Sequence, residues 1–295
     1  MKTTTAPIAT RSALGHASTI RRARRSLLTA VMIICGVLWT LPSLWALSTS
    51  LKVTENILKV PPVWIPYPVT LEQYASLFSD QNTVSMGRAF INSTIVSVIT
   101  TVMVIVVSAL AAYPLARMRF RGRNLIFSLI VGSLMVPGVI SIAPLYLVMY
   151  YLGWISTYQA LIVPQLASAF GVFLLHQFFL SLPRELEDAA YIDGAGSADI
   201  LVRILLPLSR PALATLAIFT FLWTWNDFTW PLIVLNKQSM FTLPIALSLL
   251  KTAYAGYSFG PIMAGTVLTA LPLLLVFLVA NRHIIEGVQL AGLKT

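Results

Sequence analysis

The chain alternates between long apolar runs and short polar segments. Six of the runs reach about 20 residues, which is the length that an α-helix needs to cross a bilayer. They occupy residues 27–47, 89–116, 125–150, 157–180, 211–235 and 261–280. This pattern predicts an all-α, polytopic membrane protein with six transmembrane helices and no soluble domain longer than a loop.

The first run, residues 27–47, follows a basic stretch and therefore looks like a signal peptide. The apolar core of a signal peptide usually has about 7–15 residues, and this run is longer. We therefore interpret it as an uncleaved first helix that follows an N-terminal tail, residues 1–26.

The polar segment at residues 48–88 cannot form one helix, because proline removes a backbone donor and kinks a helix. Its prolines are Pro61, Pro62, Pro66 and Pro68. Within the segment, residues 70–78 are typical of a short amphipathic helix that Thr70 caps. We expect an ordered loop on one side of the membrane.

Composition supports the membrane interpretation, and the position of the charges gives an orientation. Hydrophobic residues make up 57% of the chain and charged residues 10%, against about a quarter charged in soluble proteins. Cytoplasmic loops carry an excess of Lys and Arg, and fifteen of the 20 basic residues fall in four alternate segments. These segments are residues 1–26, 117–124, 181–210 and 282–295. We therefore predict a transmembrane domain at residues 27–281, both termini in the cytoplasm and an extracytoplasmic loop at residues 48–88.

The net charge of +10 also raises the possibility of a nucleic-acid partner. The segment from Arg117 to Arg123 has the basic residues and the interleaved aromatic, Phe120, of an RNA-binding patch. However, it is short and links two membrane helices, where arginines meet anionic lipid headgroups. The lipid bilayer explains the segment, and we predict no nucleic-acid partner.

Residues for metal binding or catalysis are not grouped along the chain. Cys35 is the one cysteine, which excludes an internal disulfide, and the histidines lack ligand spacing. Nor is there a phosphate-binding loop, since the nearest glycine cluster, Gly194-Ala-Gly196, is not followed by Lys. We predict no metal, no cofactor and no enzymatic activity in this chain. The histidines are His16, His176 and His283.

Half of the ten acidic residues lie between Glu185 and Asp199, in the predicted cytoplasmic loop 181–210. The loop has the signals of two short helices: Pro183 in a first turn, and Gly194 as a left-handed end. Ser197 then caps a second stretch that Pro207 closes. A helix this short needs a surface on which to dock. From the residues alone, docking on a basic groove and a solvated loop remain equal alternatives.

The same loop resembles the cytoplasmic signature of ABC importer permeases. That signature reads E-A-A-x-x-x-G, nine residues, then I-x-L-P. It matches Asp188, Ala189, Ala190, Gly194, Ile204, Leu206 and Pro207 at the same spacing, with Asp188 in place of the usual Glu and Glu187 just before it.

The resemblance implies a type I importer permease fold in which this loop is a coupling helix, seated in a cleft of a separate ATPase that binds ATP and Mg. The ATPase-coupling residues implied are Glu187, Asp188, Ala189, Ala190, Asp193, Gly194, Ile204, Leu206 and Pro207.

Further segments are similar to the carbohydrate branch of that family, in its shorter, six-helix subunit. They include residues 113–116, residues 225–232 and the end of the chain, residues 281–294. The resemblance implies import of a sugar across the plasma membrane of a prokaryote. It also implies a paralogous second permease, an ATPase dimer and an extracytoplasmic sugar-binding protein, contacted by the loops at residues 48–88 and 236–260. The segment 287–294 is implied to reach toward the ATPase.

The fifth run contains polar groups among aromatic ones at Trp225, Asn226 and Asp227. A carboxylate within a membrane span is a candidate for a functional site, and aromatic rings with polar neighbours suit sugar rings. An aromatic belt at the outer boundary with an interfacial Asp remains the alternative. For the chain as a whole, an ion-coupled secondary transporter and a permease for a glycerol phosphoester remain alternative functions.

Overall fold

The computed structural model describes residues 11–79, 84–253 and 259–292, with side chains described for residues 25–79, 84–251 and 259–278. Within these ranges the chain is helical and has no β-strand, apart from an isolated bridge between Lys52 and Val69. The prediction of an all-α fold is confirmed.

Helices of very different lengths follow one another along the chain. The first are α1 (Arg11–Ser50), α2 (Thr54–Ile57), α3 (Glu72–Leu77), α4 (Met86–Arg117) and α5 (Arg123–Ser133). The next are α6 (Ile142–Tyr151), α7 (Tyr158–Ile162), α8 (Ala169–Ser181), α9 (Glu185–Ile192) and α10 (Ser197–Asp199). The last are α11 (Leu206–Leu208), α12 (Arg210–Asn226), α13 (Thr229–Val234), α14 (Leu243–Ala253) and α15 (Gly260–Gly292). A π-helix, Ile200–Leu205, joins α10 to α11, and short 3₁₀ helices occupy Gly138–Ser141, Val163–Gln165 and Gln238–Met240.

The long helices are candidates for membrane spans. In the described part of the chain, α1, α4 and α15 each contain a segment long and apolar enough to cross a bilayer. Three further pairs of helices meet the same test together but are bent, by 94° after α5, by 41° before α8 and by 79° before α12. The number of spans is therefore up to six if each bent pair crosses once. The predicted six spans correspond to the upper end of this count.

Three of the apolar runs that were predicted as continuous helices are interrupted. The third run breaks between α5 and the 3₁₀ helix that begins at Gly138, where Pro137 is extended. The fourth contains a 3₁₀ turn with Pro164. The fifth breaks after Asn226, because Asp227 is extended and its Oδ1 accepts a hydrogen bond from the Trp230 amide at 3.3 Å. Proline and local side-chain bonding to the backbone are the physical causes of these breaks.

Helical structure also extends beyond the predicted bounds at both ends of the chain. α1 begins at Arg11, inside the predicted tail at residues 1–26, and α15 continues to Gly292, inside the predicted tail at residues 282–295. The predicted contact segment 287–294 ends outside the described residues.

The described residues 48–79 of the polar segment are ordered by polar contacts between its two halves. The Gln73 Nε2 donates to the carbonyl oxygen of Lys52 at 3.1 Å, and the Ser50 and Tyr74 hydroxyls lie 2.9 Å apart. The predicted helix at residues 70–78 is α3, which is shorter by two residues at its start and one at its end. Leu71 occupies the N-cap position, so Thr70 does not cap the helix as an N-cap residue, although its Oγ1 accepts from the Glu72 amide at 3.1 Å.

The largest core cluster of the described residues lies where α4, α8 and α12 meet the second half of the loop 181–210. Small residues line α4 here, and they let neighbouring helices approach closely. Gly171 on α8 lies so near to Ser108 and Leu216 that a Cβ at this position would collide with both side chains. The buried members of the cluster are Val104, Ala109, Ala112, Tyr113, Leu115, Ala116, Val172, Leu175, Phe179, Ile200, Leu201, Leu205, Ala212 and Leu216.

Candidate functional site

The signature loop forms a short helix with a defined end. α9 runs from Glu185 to Ile192, with Arg184 at the N-cap, so Pro183 precedes the helix and does not lie in its first turn. Acidic residues in the first turn are stabilised by the positive end of the helix dipole. Gly194 has φ +81°, a left-handed conformation that glycine adopts without a steric cost. The predicted left-handed end at Gly194 is confirmed.

Most of the acidic side chains of α9 face away from the protein. Glu185, Asp188 and Asp193 are exposed, and the apolar side chains of Leu186 and Ile192 are exposed beside them. An exposed apolar surface framed by carboxylates is typical of an interaction site for a basic partner. We call the surface of these five residues the acidic face. Ala189 and Gly194 are exposed too, while Ala190 is half-buried and packs against the core.

Glu187 faces the opposite way, into the protein. Its Oε1 lies 2.8 Å from the Nε of Arg117, the last residue of α4, and the side chains of Glu187 and Arg117 are only 9% and 3% exposed. The Nη2 of Arg117 also donates to the carbonyl oxygen of Leu182 at 2.8 Å. We expected Arg117 to contact lipid headgroups, but its guanidinium instead forms this ion pair with Glu187. The two residues are 70 positions apart, so no local pattern could have joined them.

The second half of the loop packs on the core. Gly196 is at the N-cap position, and Ser197 is the first residue of α10. The prediction that Ser197 caps this helix is therefore wrong. Ile204 and Leu206 are half-buried and pack against the core cluster, whereas Pro207 is exposed. Pro207 lies within α11, which ends at Leu208, and so does not close the helix. The proline is tolerated because it stands in the first turn of α11, where its missing N–H is not needed.

The three predicted pathway residues lie in different environments. Trp225 is 1% exposed, its Nε1 donates to the carbonyl oxygen of Thr269 at 3.1 Å, and its ring packs against Phe90 and Phe221. It is therefore a core residue of the α4, α12 and α15 packing. Asn226 is exposed, and Asp227 is half-buried in the break between α12 and α13.

The break at Asp227 lines a cavity of about 510 Å³. The 3₁₀ helices of the third and fourth runs contribute Ser141 and Gln165 to the same cavity, and α12 contributes Trp223, which is 78% exposed. Irregular backbone at membrane depth is tolerated where it is buried in protein or lines a cavity. The interruptions of three apolar runs thus meet at one place. Trp223 belongs to the same aromatic and polar group of the fifth run but was not among the three predicted pathway residues.

No group of three or more His, Cys, Asp or Glu side chains that could hold a metal ion occurs in the part of the chain that the structure describes.

Helical spans, broken apolar runs around a cavity and an acidic helix in a loop define a polytopic membrane transport subunit. The fold is that of a solved bacterial ABC transporter involved in import of the acidic polysaccharide alginate. One chain of that structure matches with a TM-score of 0.77 and 22% identity over 94% of this chain and 99% of the other.

The chain belongs to the family of binding-protein-dependent transport system inner membrane components, whose sequence pattern matches residues 104–289. The chain is 38% identical over 232 residues to the arabinooligosaccharides transport system permease protein AraQ of Halalkalibacterium halodurans, covering 79% of this chain and 82% of that one. It is 36% identical over 267 residues to the diacetylchitobiose uptake system permease protein NgcG of Streptomyces coelicolor, covering 88% and 86%. The resemblance to ABC importer permeases is confirmed, and the chain is a transport subunit and not an enzyme.

Proposed function

We propose that this permease imports a carbohydrate, in the oligosaccharide class, as one subunit of an ATP-driven complex. The sugars in the names of the AraQ and NgcG relatives support the substrate class. The complex contains a paralogous permease, an ATPase dimer that binds ATP and Mg, and an extracytoplasmic sugar-binding protein. Both termini of this chain lie in the cytoplasm of a prokaryote, and the chain itself holds no cofactor.

The observation that carries the proposal is the acidic face on α9. Five acidic residues lie in residues 185–199, on a side of the membrane where Lys and Arg otherwise predominate. α9 is too short to be stable alone, so it needs a receiving surface. The carboxylates of Glu185, Asp188 and Asp193 then meet basic groups of the ATPase cleft, and Ala189 allows close approach. We place the ATPase contact here, in the loop 181–210 that continues through Ile204, Leu206 and Pro207.

Co-purification from membranes tests this contact. The chain is tagged and produced together with the ATPase and the second permease encoded beside it. Asp188→Lys is expected to reduce the recovered ATPase strongly, because it reverses the charge at the centre of the acidic face. Asp199→Lys is the matched control, since Asp199 lies in the same loop but outside the acidic face. Equal recovery of ATPase with both variants would contradict the proposed contact.

The cavity at the broken runs is the proposed solute pathway of this subunit. Trp223 and Asp227 line it with an aromatic ring and a polar group, which suit the faces and hydroxyls of a sugar, and both also line an adjoining cavity with Asn226. Trp225 supports this surface from the core. The loops at residues 48–88 and 236–260 then receive the binding protein outside.

Uptake into proteoliposomes tests the substrate class. The reconstituted complex is supplied with radiolabelled arabinotriose, diacetylchitobiose, maltose or glycerol 3-phosphate, each with its binding protein. Trp223→Ala is expected to lower uptake of the transported solute, with Trp39→Ala as control because Trp39 is an exposed Trp on α1. If glycerol 3-phosphate is taken up and none of the sugars is, the substrate is a glycerol phosphoester and not a carbohydrate. Uptake by this chain without an ATPase would instead indicate an ion-coupled secondary transporter.

A further inference from the structure

The buried ion pair between Arg117 and Glu187 connects the coupling loop to one particular helix. Arg117 is the last residue of α4, and Glu187 lies in the first turn of α9. The same guanidinium binds the carbonyl oxygen of Leu182, at the end of α8. One side chain therefore holds the end of α4, the end of α8 and the start of α9 together.

The other ion pair of the loop has none of these properties. Arg203 and Asp199 are four residues apart on one helical segment, and their side chains are 79% and 44% exposed. An exposed pair of this kind contributes little to the free energy of unfolding. Both of its residues lie on the same helical segment, so it connects no separate elements. The buried pair loses its water of hydration, so each member needs the opposite charge of the other.

At its other end, α4 is fixed by a second polar contact. The Asn92 Nδ2 donates to the carbonyl oxygens of Ser239 and Phe241, each at 2.9 Å, and its Oδ1 accepts from the Tyr158 hydroxyl at 2.7 Å. Asn92 is fully buried. These contacts hold the outer loop that follows α13. From Asn92 to Arg117 the uninterrupted helix spans about 37 Å, at about 1.5 Å for each residue.

We propose that Arg117 and Glu187 are positioning residues that make α4 the transmission element between the ATPase site and the outer loop. The proposal rests on the proposed function, because it takes the acidic face as the ATPase contact. The outward carboxylates of α9 engage the ATPase, and the inward carboxylate ties α9 to α4. A displacement of α9 by the ATPase then moves α4 and, through Asn92, the segment around Ser239.

The test measures whether ATP changes the outer loop. Gln238, an exposed residue beside Ser239, is replaced by cysteine in a Cys35→Ser background. The complete complex, with its ATPase, second permease and binding protein, is reconstituted, and labelling by a membrane-impermeant maleimide is followed with and without ATP and vanadate. We expect ATP to change the labelling rate about fivefold or more, the lower end of ordinary coupling between sites.

Arg117→Gln and Glu187→Gln are expected to remove this ATP-dependent change while the ATPase still co-purifies. The exchange of both residues, Arg117→Glu with Glu187→Arg, restores the opposite charges and is expected to restore at least part of the change. Arg203→Gln is the matched control and is expected to behave as the parent. If Arg117→Gln fails to insert, Arg117→Lys is tested in its place. It keeps the charge but has one nitrogen where Arg117 uses Nε toward Glu187 and Nη2 toward Leu182, and a reduced change is expected.

An ATP-dependent change that persists in the inserted single variants would overturn the proposal. So would a loss of co-purified ATPase in those variants, since the pair would then serve docking, or an exchange variant that inserts but shows no recovery. Failure of the parent chain to co-purify with any ATPase would instead overturn the proposed function, which keeps the two outcomes distinguishable.

Discussion

The two halves of the loop 181–210 contact the rest of the molecule through different chemistry. α9 has one buried side chain, that of Glu187, and an ion pair with Arg117 holds it. The segment 197–208 instead inserts Ile200, Leu201 and Leu205 into the core between α4, α8 and α12. Apolar burial is spread over many small contacts, whereas an ion pair depends on two opposite charges. The first half is therefore held by one buried ion pair and the half-buried Ala190, and the second half by the burial of several apolar side chains.

The largest expected effect comes from breaking the contact of the first half. Arg117→Gln leaves the Glu187 carboxylate buried without its counter-ion, and we expect the free energy of unfolding to fall by about 3–5 kcal/mol. Unfolding in mild detergent, followed by circular dichroism, measures this loss. Arg203→Gln, at the exposed pair, serves as the control. A loss below about 1 kcal/mol for Arg117→Gln, the usual limit for exposed pairs, would show that the pair is not buried in the folded protein.

A somewhat smaller effect is expected in the second half. Leu205→Ala removes buried methyl groups and leaves a cavity, at a cost of roughly 2–4 kcal/mol in the free energy of unfolding. Because neighbouring side chains hold the same segment, the ATPase is expected to co-purify as before. Leu208→Ala is the matched control, since Leu208 is exposed just beyond the core. Equal losses for the two variants would mean that the core does not include Leu205.

The turn at Gly194, which connects the two halves, is the subject of a third prediction. Gly194→Ala places a Cβ in a left-handed conformation, which costs about 1–2 kcal/mol. Gly196→Ala is the control, because Gly196 has φ −81° and space for a Cβ. Gly194→Asn is expected to cost less than Gly194→Ala, since Asn visits the left-handed region. Unfolding in detergent measures all three, and an equal cost at both glycines would argue against the left-handed end.

The smallest effect is expected at the exposed ion pair. Asp199→Asn removes the attraction to Arg203, and we expect a change of about 0.3–0.5 kcal/mol in the free energy of unfolding. The difference should vanish at high salt, because ions screen exposed charges. Measurement in low and high salt checks both statements. An effect that survives high salt would indicate that Asp199 has a second role.

The sequence was sufficient for the features that depend on local pattern. The apolar runs predicted the helices, and the fixed spacing from Asp188 to Pro207 indicated the permease family to which the chain belongs. The left-handed conformation of Gly194 could also be predicted, because helices commonly end at a glycine in this conformation. Pro137 and Pro164 could have indicated that the third and fourth runs are interrupted. Continuous helices were predicted because that prediction relied on hydropathy alone.

The sequence was not sufficient for features that depend on distant contacts. Glu187 and Asp188 are neighbours of the same charge type, and only the position of Arg117 on α4 decides which of them faces inward. Trp223 and Trp225 likewise share one helix, and only the presence of Phe90 and Phe221 decides which is buried. Such choices are made by tertiary packing, and a single sequence carries no local record of it.

The polar contacts at the two ends of α4 have a thermodynamic consequence. A coupling free energy between two binding sites is the same in both directions. If ATP binding inside favours one arrangement of the segment around Ser239, then a protein that binds that arrangement outside must raise the affinity for ATP by the same factor. On the proposed role of α4, the contacts of Asn92 and Arg117 together determine this coupling free energy. Weakening either contact should lower the effect of nucleotide on binding-protein affinity and the effect of binding protein on nucleotide affinity by the same factor.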